Sequence, residues 1–389
     1  MRLVTAGVPL NLNRPVVGTV AVCPETEPSR RSKTVLVSTA LDGVELNGYR
    51  AALTTSDVSN SSFNIPVVHR VREIDHLKEG FVVAIEPGSG FVRTVFRPDS
   101  DHNILFATER CNSNCLMCSQ PPQDRDDADA LTARNLELID LMHPAPTYLC
   151  ITGGEPTLLG ERLFRIIAAL RDKLPTTTIH MLSNGRLFAW SEFTEAFAEI
   201  GHPNLSIGVP LYSDIAAEHD YVVQAKGAFD QTLMGLHELA RWGQRVEIRV
   251  VLHALTVRRL SALAEFIYRN LTFTEHVALM GLETIGYAPR NLQTLWIDPW
   301  DYQAELRAAV ETLRLRGINV SIYNHQLCVL DRGLWKFAKQ SISDWKNIYL
   351  DACNGCAVQG SCGGFFQWAT KQHSAHIHPL SQDDAAKTI

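Results

Sequence analysis

Asn103-Ile-Leu-Phe-Ala-Thr-Glu-Arg-Cys111-Asn-Ser-Asn-Cys115-Leu-Met-Cys118 places three cysteines within eight residues, behind a short apolar run. Residues 104–107 read as a β-strand and the cysteines as the loop that leaves it. From this strand onward, strand and helix patterns alternate. Further apolar strand patterns occupy residues 148–151, 179–182, 205–211, 246–252 and 277–280. Helical patterns lie between them, at residues 131–142, 158–171, 192–200, 229–242 and 260–271. Six such alternations predict an α/β fold with a parallel sheet, either doubly wound or curved into an incomplete barrel. Both forms bind ligands in the loops at the C-terminal ends of the strands, where the three cysteines stand.

Soft thiolates select iron–sulfur clusters or zinc. No fourth Cys or His lies close to Cys118, as a closed tetrahedral zinc knuckle requires. Three ligands on a four-iron cube leave one iron open to a reacting ligand. A zinc site or a redox cysteine pair is the competing reading of these residues.

Residues 1 to about 100 read as β-rich. Apolar runs at 15–22 and 34–38 are set off by turn residues, and 81–85 and 91–96 form a hairpin around Glu86-Pro87-Gly88-Ser89-Gly90. The Ser-rich stretch 54–63 reads as a loop. Beyond the alternating region come a helix at 300–316, a strand at 318–323 and a Cys-rich segment. There Cys328 precedes Cys353-Asn-Gly-Cys356-Ala-Val-Gln-Gly-Ser-Cys362-Gly-Gly, four thiols among small residues that let backbone amides approach a metal site. Four thiolates suit a fully ligated second cluster or a zinc ion. Cys23 and Cys150 read as buried small hydrophobes, and the polar residues after His373 as a frayed tail.

The chain has 389 residues, 46% hydrophobic and 20% charged, enough for two or three structural units with sizeable cores. A formal charge of −6 gives no long-range pull toward nucleic acid or anionic membrane. No apolar run approaches the roughly 20 residues of a spanning helix, and the first residues lack a secretory pattern. Nine cysteines without an export signal point to metal or redox chemistry in the cytoplasm.

The cysteine spacing at the end of a first strand resembles the cluster loop of the radical S-adenosylmethionine (SAM) superfamily. Gly153-Gly154-Glu155-Pro156, after the second strand, resembles that family's SAM amino-group motif. Ser183-Asn184-Gly185, after the third, resembles its ribose contact. His219-Asp220-Tyr221 through Lys226-Gly227-Ala228-Phe229-Asp230 resembles its entry into the next helix. The likeness covers about residues 103–290 and implies a partial (β/α)6 radical SAM barrel. It implies a [4Fe–4S] cluster on Cys111, Cys115 and Cys118, with SAM contacts from Met117, Gly153, Gly154, Glu155, Ser183 and Asn184. Two features depart from the pattern. Met117 stands where an aromatic residue is usual, and Val223 and Pro210 stand where an Arg and a Ser bind the SAM carboxylate. Arg249 is the substitute donor we expect.

The Cys-rich tail resembles the one-cluster twitch extension of SPASM-type peptide-modifying enzymes, with Cys328, Cys353, Cys356 and Cys362 on an auxiliary [4Fe–4S] cluster. Together with Asn103–Pro122 and the β-rich start, it looks like the maturases of the His-Xaa-Ser peptide system. That group implies a ribosomally made precursor peptide, a second radical SAM maturase, a small partner protein, and an electron donor such as flavodoxin or ferredoxin. The implied chemistry is reductive cleavage of SAM, hydrogen abstraction by the 5′-deoxyadenosyl radical, and a new bond in the peptide. Tyr212, His253 and Glu283, at predicted strand ends, are the candidates on the substrate side. The implied domains are 1–100 (β-rich), 101–299 (radical SAM core), 300–372 (auxiliary-cluster extension) and 373–389 (polar tail). Rival readings are a small-molecule radical SAM enzyme of cofactor biosynthesis, an iron–sulfur electron-transfer protein, and a zinc-stabilised peptide-binding scaffold.

Overall fold

The computed structural model describes residues 3–59, 62–340 and 348–386. It resolves into two compact units. One comprises residues 1–106, 129–150 and 165–178, and the other residues 107–128, 151–164 and 179–389.

The first unit carries an eight-stranded sheet. Its strands are β1 (Val4–Ala6), β2 (Val8–Leu10), β3 (Val16–Ala21), β4 (Thr34–Ser38), β5 (Ala51–Thr54), β6 (Val67–His69), β7 (Val82–Ile85) and β8 (Phe91–Phe96). Their order is β1-β8-β7-β3-β4-β5-β6-β2. The β7–β8 hairpin pairs antiparallel as its turn residues predict. The centre of the sheet is parallel instead, β3 with β4, β4 with β5 and β5 with β6. These strands are covered on both faces, and the pleat sorts their side chains. Val35, Val37, Ala51, Leu53 and Val68 enter one apolar cluster, while the intervening Leu36, Ala52 and Val67 enter another.

Strands β9 (Asn103–Phe106), β10 (Tyr148–Thr152), β11 (Thr178–Leu182), β12 (Leu205–Pro210), β13 (Arg245–Leu252) and β14 (His276–Gly281) coincide with the six apolar runs of the alternating region. β15 (Asn319–Tyr323) and β16 (Ala338–Lys339) follow them. In the second unit β11 pairs with β12, β12 with β13, β13 with β14, β14 with β15 and β15 with β16, every pair parallel. Consecutive strands stay adjacent throughout this run, so it contains no point where the winding reverses. That order is barrel-like and removes the doubly wound alternative, since right-handed crossovers in one direction put every helix on one face.

Helices Ala228–Arg241, Leu260–Asn270 and Gln303–Leu315 present stripes such as Leu306, Ala309, Val310 and Leu313 to that face. On β13 the apolar Val246, Ile248, Val250 and Leu252 are buried, whereas Glu247 and Arg249 alternate with them on the opposite, half-open side.

Three expectations need correction. Cys23 is exposed, because it lies beyond Ala21, the last residue of β3, and Cys150 is only half-buried within β10. The tail does not fray at His373. Ser374 and Leu380 are buried, Ala375 N donates to Asp298 Oδ2 (3.0 Å), and His376 stacks on Trp300 at 4.6 Å. A polar composition hid these anchors. The Ser-rich stretch after Thr54 holds no helix or strand among its described residues; Asn60 and Ser61 lie outside them.

Candidate active site

The segment that leads from β9 to the first cysteine is fastened backbone to backbone. Ala107 N donates to Thr152 O (2.7 Å), Gly154 N to Thr108 O (2.7 Å) and Glu155 N to Arg110 O (2.8 Å). A Cβ on Gly154 would stand 2.0 Å from Arg110 O, so glycine is required by the chain's own approach here. Asp127 adds a bracket, accepting from Thr108 Oγ1 (2.7 Å) and Glu109 N (2.6 Å).

The cysteine loop is held from further positions. Arg186 donates to Asn112 O and to Ser113 Oγ (3.2 Å), and its Nε is fixed by Gln231 Oε1 (2.7 Å). Asn184 Nδ2 donates to Asn112 Oδ1 (2.5 Å). Asn114 N and Leu116 N donate to Val223 O and Val222 O. Asn291 Nδ2 caps Leu116 O (2.8 Å), and Tyr287 N donates to Cys118 O (2.9 Å).

This scaffold turns three thiols toward one another. Burial pushes Cys111 up to about 11, with Glu155 and Cys118 adding to the rise. Burial pushes Cys115 up to about 12, again reinforced by Cys118 and Cys111. Cys118 is raised by burial, and its thiol donates to Gln120 O (3.0 Å). Cys111 and Cys115, whose ionisation the neighbouring thiols oppose, suit a polycationic centre, which favours the thiolate form.

Glu155 is buried, and its carboxylate is met by protein donors. Oε1 accepts from Thr157 N (3.0 Å), Thr157 Oγ1 (2.6 Å) and Ser183 Oγ (2.8 Å), and Oε2 from Asn184 N (2.6 Å). It therefore ties the Gly153-Gly154 turn to the Ser183-Asn184-Gly185 turn. Burial raises its carboxyl pKa, while Thr157, Asn184 and Ser183 pull the other way.

The other expected residues scatter around this centre. Met117 and Tyr212 are buried in one apolar cluster with Val222, Val223, Ala288 and Leu295, against which Cys115 packs. Burial holds the Tyr212 phenol well above its usual range, and Cys115 and Cys118 add to the rise. His253 is fully buried, lowered to about 4 by desolvation, with Nδ1 against Thr256 Oγ1 (3.4 Å). Arg249 pairs with Glu247 (2.6 Å) and points Nη2 at Met280 Sδ (3.1 Å). Glu247 also meets His276 Nδ1 at 2.7 Å. Glu283 is half-buried on the loop that follows β14. Asp220, in the helix-entry stretch, caps the next helix by accepting from Gly227 N (2.5 Å) and Phe229 N (2.8 Å).

Sequence reasoning passed over Arg186, Asp127, Asn291 and Gly286. Arg186 directly follows Ser183-Asn184-Gly185, a signal that was there to use. Asp127 sits in a run of acidic residues where nothing marks it.

In the tail, Cys328, Cys353, Cys356 and Cys362 line one cavity together with Gln326, Tyr349, Gln359 and His378. Backbone amides approach the sulfurs, Leu327 N to Cys362 Sγ and Leu380 N to Cys356 Sγ, both at 3.4 Å. Burial pushes Cys328 up to about 11 and raises Cys362, and the neighbouring thiols add to both. Among the described residues, no three His, Cys, Asp or Glu side chains stand at single-ion spacing. The tail thiols line a cavity, an arrangement open to a cluster of several irons or to a zinc ion.

A second cavity opens at the C-terminal ends of β13, β14 and β15, with Leu252, Gly281 and Asn324 in its wall. Trp296, Tyr302, Gln326, Phe365, Phe366 and His373 also line it, and among the described residues that line it none is Lys, Arg, Asp or Glu. Tyr212, His253 and Glu283 are not among the residues that line it.

Comparison with known proteins bears on this arrangement. The family described as Radical SAM superfamily matches residues 105–267. Fe-coproporphyrin III synthase of Methanosarcina barkeri is 29% identical over 163 residues, 41% of this chain and 39% of that protein. The match thus spans about two fifths of the curated relative's length. The crystal structure of Streptococcus suis SuiB bound to S-adenosylmethionine superposes with a TM-score of 0.50 at 11% identity, covering 73% of this chain and 77% of that one. That likeness is one of fold. Over residues 105–267 the chain therefore carries a radical SAM superfamily domain, the enzyme fold whose cofactors are S-adenosylmethionine and a [4Fe–4S] cluster.

Proposed function

We propose that this chain is a radical SAM enzyme that modifies or cross-links side chains of a ribosomally made, His-Xaa-Ser-type precursor peptide. The observation that carries the radical SAM part is the braced loop on which Cys111, Cys115 and Cys118 face one another. These three thiolates would hold a [4Fe–4S] cluster with one iron left for SAM. When bound, that cluster supplies the electron that splits the SAM sulfonium and releases a 5′-deoxyadenosyl radical.

The chain's own residues bind, orient and exclude water. Gly153, Gly154, Ser183 and Asn184 stand on two turns that Glu155 locks together, where they would meet the amino acid and ribose of SAM. Met117 and Tyr212 seal the apolar side of the loop. Arg249, held by Glu247, is the remaining candidate for the SAM carboxylate.

The peptide part rests on the cavity at the ends of β13 to β15. Its amide, aromatic and imidazole lining suits peptide backbone and uncharged side chains. Cys328, Cys353, Cys356 and Cys362 would hold an auxiliary [4Fe–4S] cluster that accepts the leftover electron. Gln326 lines both cavities, so that site and the proposed peptide cleft share a wall. A flavodoxin or ferredoxin would donate electrons, and a second maturase and a small partner protein would complete the system.

A small-molecule substrate is the second reading, favoured by the name of the Methanosarcina relative. Anaerobic reconstitution tests the first part: about eight irons per chain and reductive formation of 5′-deoxyadenosine are expected. Replacing Cys111, Cys115 and Cys118 with Ala should remove about half the iron and all SAM cleavage. Iron content unchanged in that variant would sink the assignment. Mass spectrometry after co-expression with a His-Xaa-Ser precursor, against incubation with a tetrapyrrole, separates the two substrates.

A further inference from the structure

Burying charge is costly even where it is paired, yet β13 carries Glu247 and Arg249 on the half-open face of its sheet. His276 stands opposite Glu247 on β14, and its Nδ1 meets Glu247 Oε2 at 2.7 Å. The other nitrogen of His276, Nε2, is 2.9 Å from Ser321 Oγ on β15. Glu247 Oε1 accepts from Arg249 Nη1 (2.6 Å) and lies 3.5 Å from His180 Nε2 on β11. One carboxylate is thus gripped from both sides, and its brace runs across three adjacent strands. Strand β12 makes the room. A Cβ on Gly208 would stand 2.6 Å from His180 Nε2 and 2.9 Å from Arg249 Cδ, so its absence lets both side chains lie across that strand.

Only one arm of the guanidinium is spent on this brace. Nη2 faces the Met280 thioether at 3.1 Å, a weak acceptor that a carboxylate would displace. The Arg249 side chain is 26% exposed, which leaves a path for an anion. Tyr212 indicates where the guanidinium lies. Beyond the effect of its burial, that phenol feels the charges of Cys115 and Cys118 and also that of Arg249. The free arm therefore shares a neighbourhood with the cysteine loop.

We propose that Glu247, braced by His276 and Ser321, is a positioning residue that holds the Arg249 guanidinium where the carboxylate of SAM meets it. The proposal rests on the reading that Arg249 is the donor to that carboxylate. An arginine stem has many rotamers, and fixing one before the ligand arrives lowers the entropy lost on binding. Glu247 occupies Nη1, and the planar fork keeps Nη2 for the second carboxylate.

The test uses the full chain, reconstituted anaerobically, with SAM affinity measured by equilibrium dialysis and SAM cleavage followed at saturating SAM. Arg249→Gln should weaken SAM binding by about 10- to 150-fold with its iron retained. Glu247→Gln should weaken it by about tenfold, with cleavage at saturating SAM nearly unchanged. Placed on Arg249→Gln, Glu247→Gln should cost nothing further, because its effect passes through the guanidinium. Where Glu247→Gln does not fold, His276→Ala takes its place, since His276 meets the carboxylate oxygen that Arg249 Nη1 does not. Unchanged affinity in Arg249→Gln overturns the carboxylate reading and the Glu247 role with it. A loss in Arg249→Gln, with unchanged or tighter binding in Glu247→Gln, overturns the Glu247 role alone; tighter binding would show that Glu247 competes with SAM for the guanidinium. An equal loss from Glu247→Gln with and without Arg249 assigns Glu247 to the stability of the barrel and overturns its positioning role.

Discussion

Glu155 illustrates how a motif residue can be bound by its own protein. Its two carboxylate oxygens accept four hydrogen bonds from Thr157, Ser183 and Asn184, and the side chain is out of solvent. Truncation leaves these donors buried and unpaired, each costing about 1–3 kcal/mol. We therefore expect Glu155→Ala to lower the unfolding free energy of the iron-free chain by at least about 2 kcal/mol, read by urea titration. SAM affinity should fall as well, because the two turns proposed to hold SAM lose their tie. If the iron-free stability is unchanged and only SAM affinity drops, Glu155 contacts the ligand directly and the bracket role is wrong. Glu155→Gln separates charge from size: it keeps the shape but turns one acceptor into a donor that faces other donors.

At the scale of elements, the cysteine loop depends on a turn far along the chain. Gly286 adopts φ +65°, and a Cβ there would stand 2.2 Å from Cys118 O. Gly286→Ala therefore meets both backbone strain and a clash, costing more than about 1 kcal/mol. The loop should loosen while the tail is untouched. Iron per chain is expected to fall from about eight to about four, with the remaining signal that of the cluster proposed for the tail. Full iron content in that variant would show that the loop folds without the turn.

The same element shows what the sequence could reveal. Strands β9 to β14 were legible because each is an apolar run followed by a helix with an apolar stripe. The cysteines were legible because spacing alone carries their chemistry. The contacts of Arg186 and Asn291 were not, since they reach Ser113 and Leu116 across 73 and 175 positions. No local pattern encodes a partner at that distance. Strands β1, β2, β5 and β6 escaped for another reason: three or four residues give no period to read, and pairing with distant strands makes them.

At the scale of the molecule, the second unit holds several buried imidazoles that respond to acid together. Desolvation lowers His180, His219, His253 and His325 each to about 4. His325 is the best placed of them, between Tyr302 Oη (2.8 Å) and Tyr323 O (2.9 Å). In the unfolded chain a histidine titrates near 6.5, so below that pH the unfolded state binds more protons than the folded one. Stability contributed by these groups is thus complete above about 6.5 and is lost as pH falls toward 4. Each should cost about 2 kcal/mol at pH 5 relative to pH 8.

Glu247 titrates below this window. Burial opposes ionisation of Glu247, but its bond to His276 and the charge of Arg249 together outweigh burial and lower it to about 2. The stability it gives is lost only as pH falls from about 4.5 toward 2. The urea midpoint of the iron-free chain should therefore be level from pH 8 to 7 and drop clearly by pH 5. His325→Gln, which cannot take up a proton, should recover about a quarter of that loss while lowering the midpoint at pH 8 through the altered bond to Tyr302. An equal midpoint at pH 8 and pH 5 would mean that these imidazoles accept protons without unfolding the barrel, and that the unit opens to water around them.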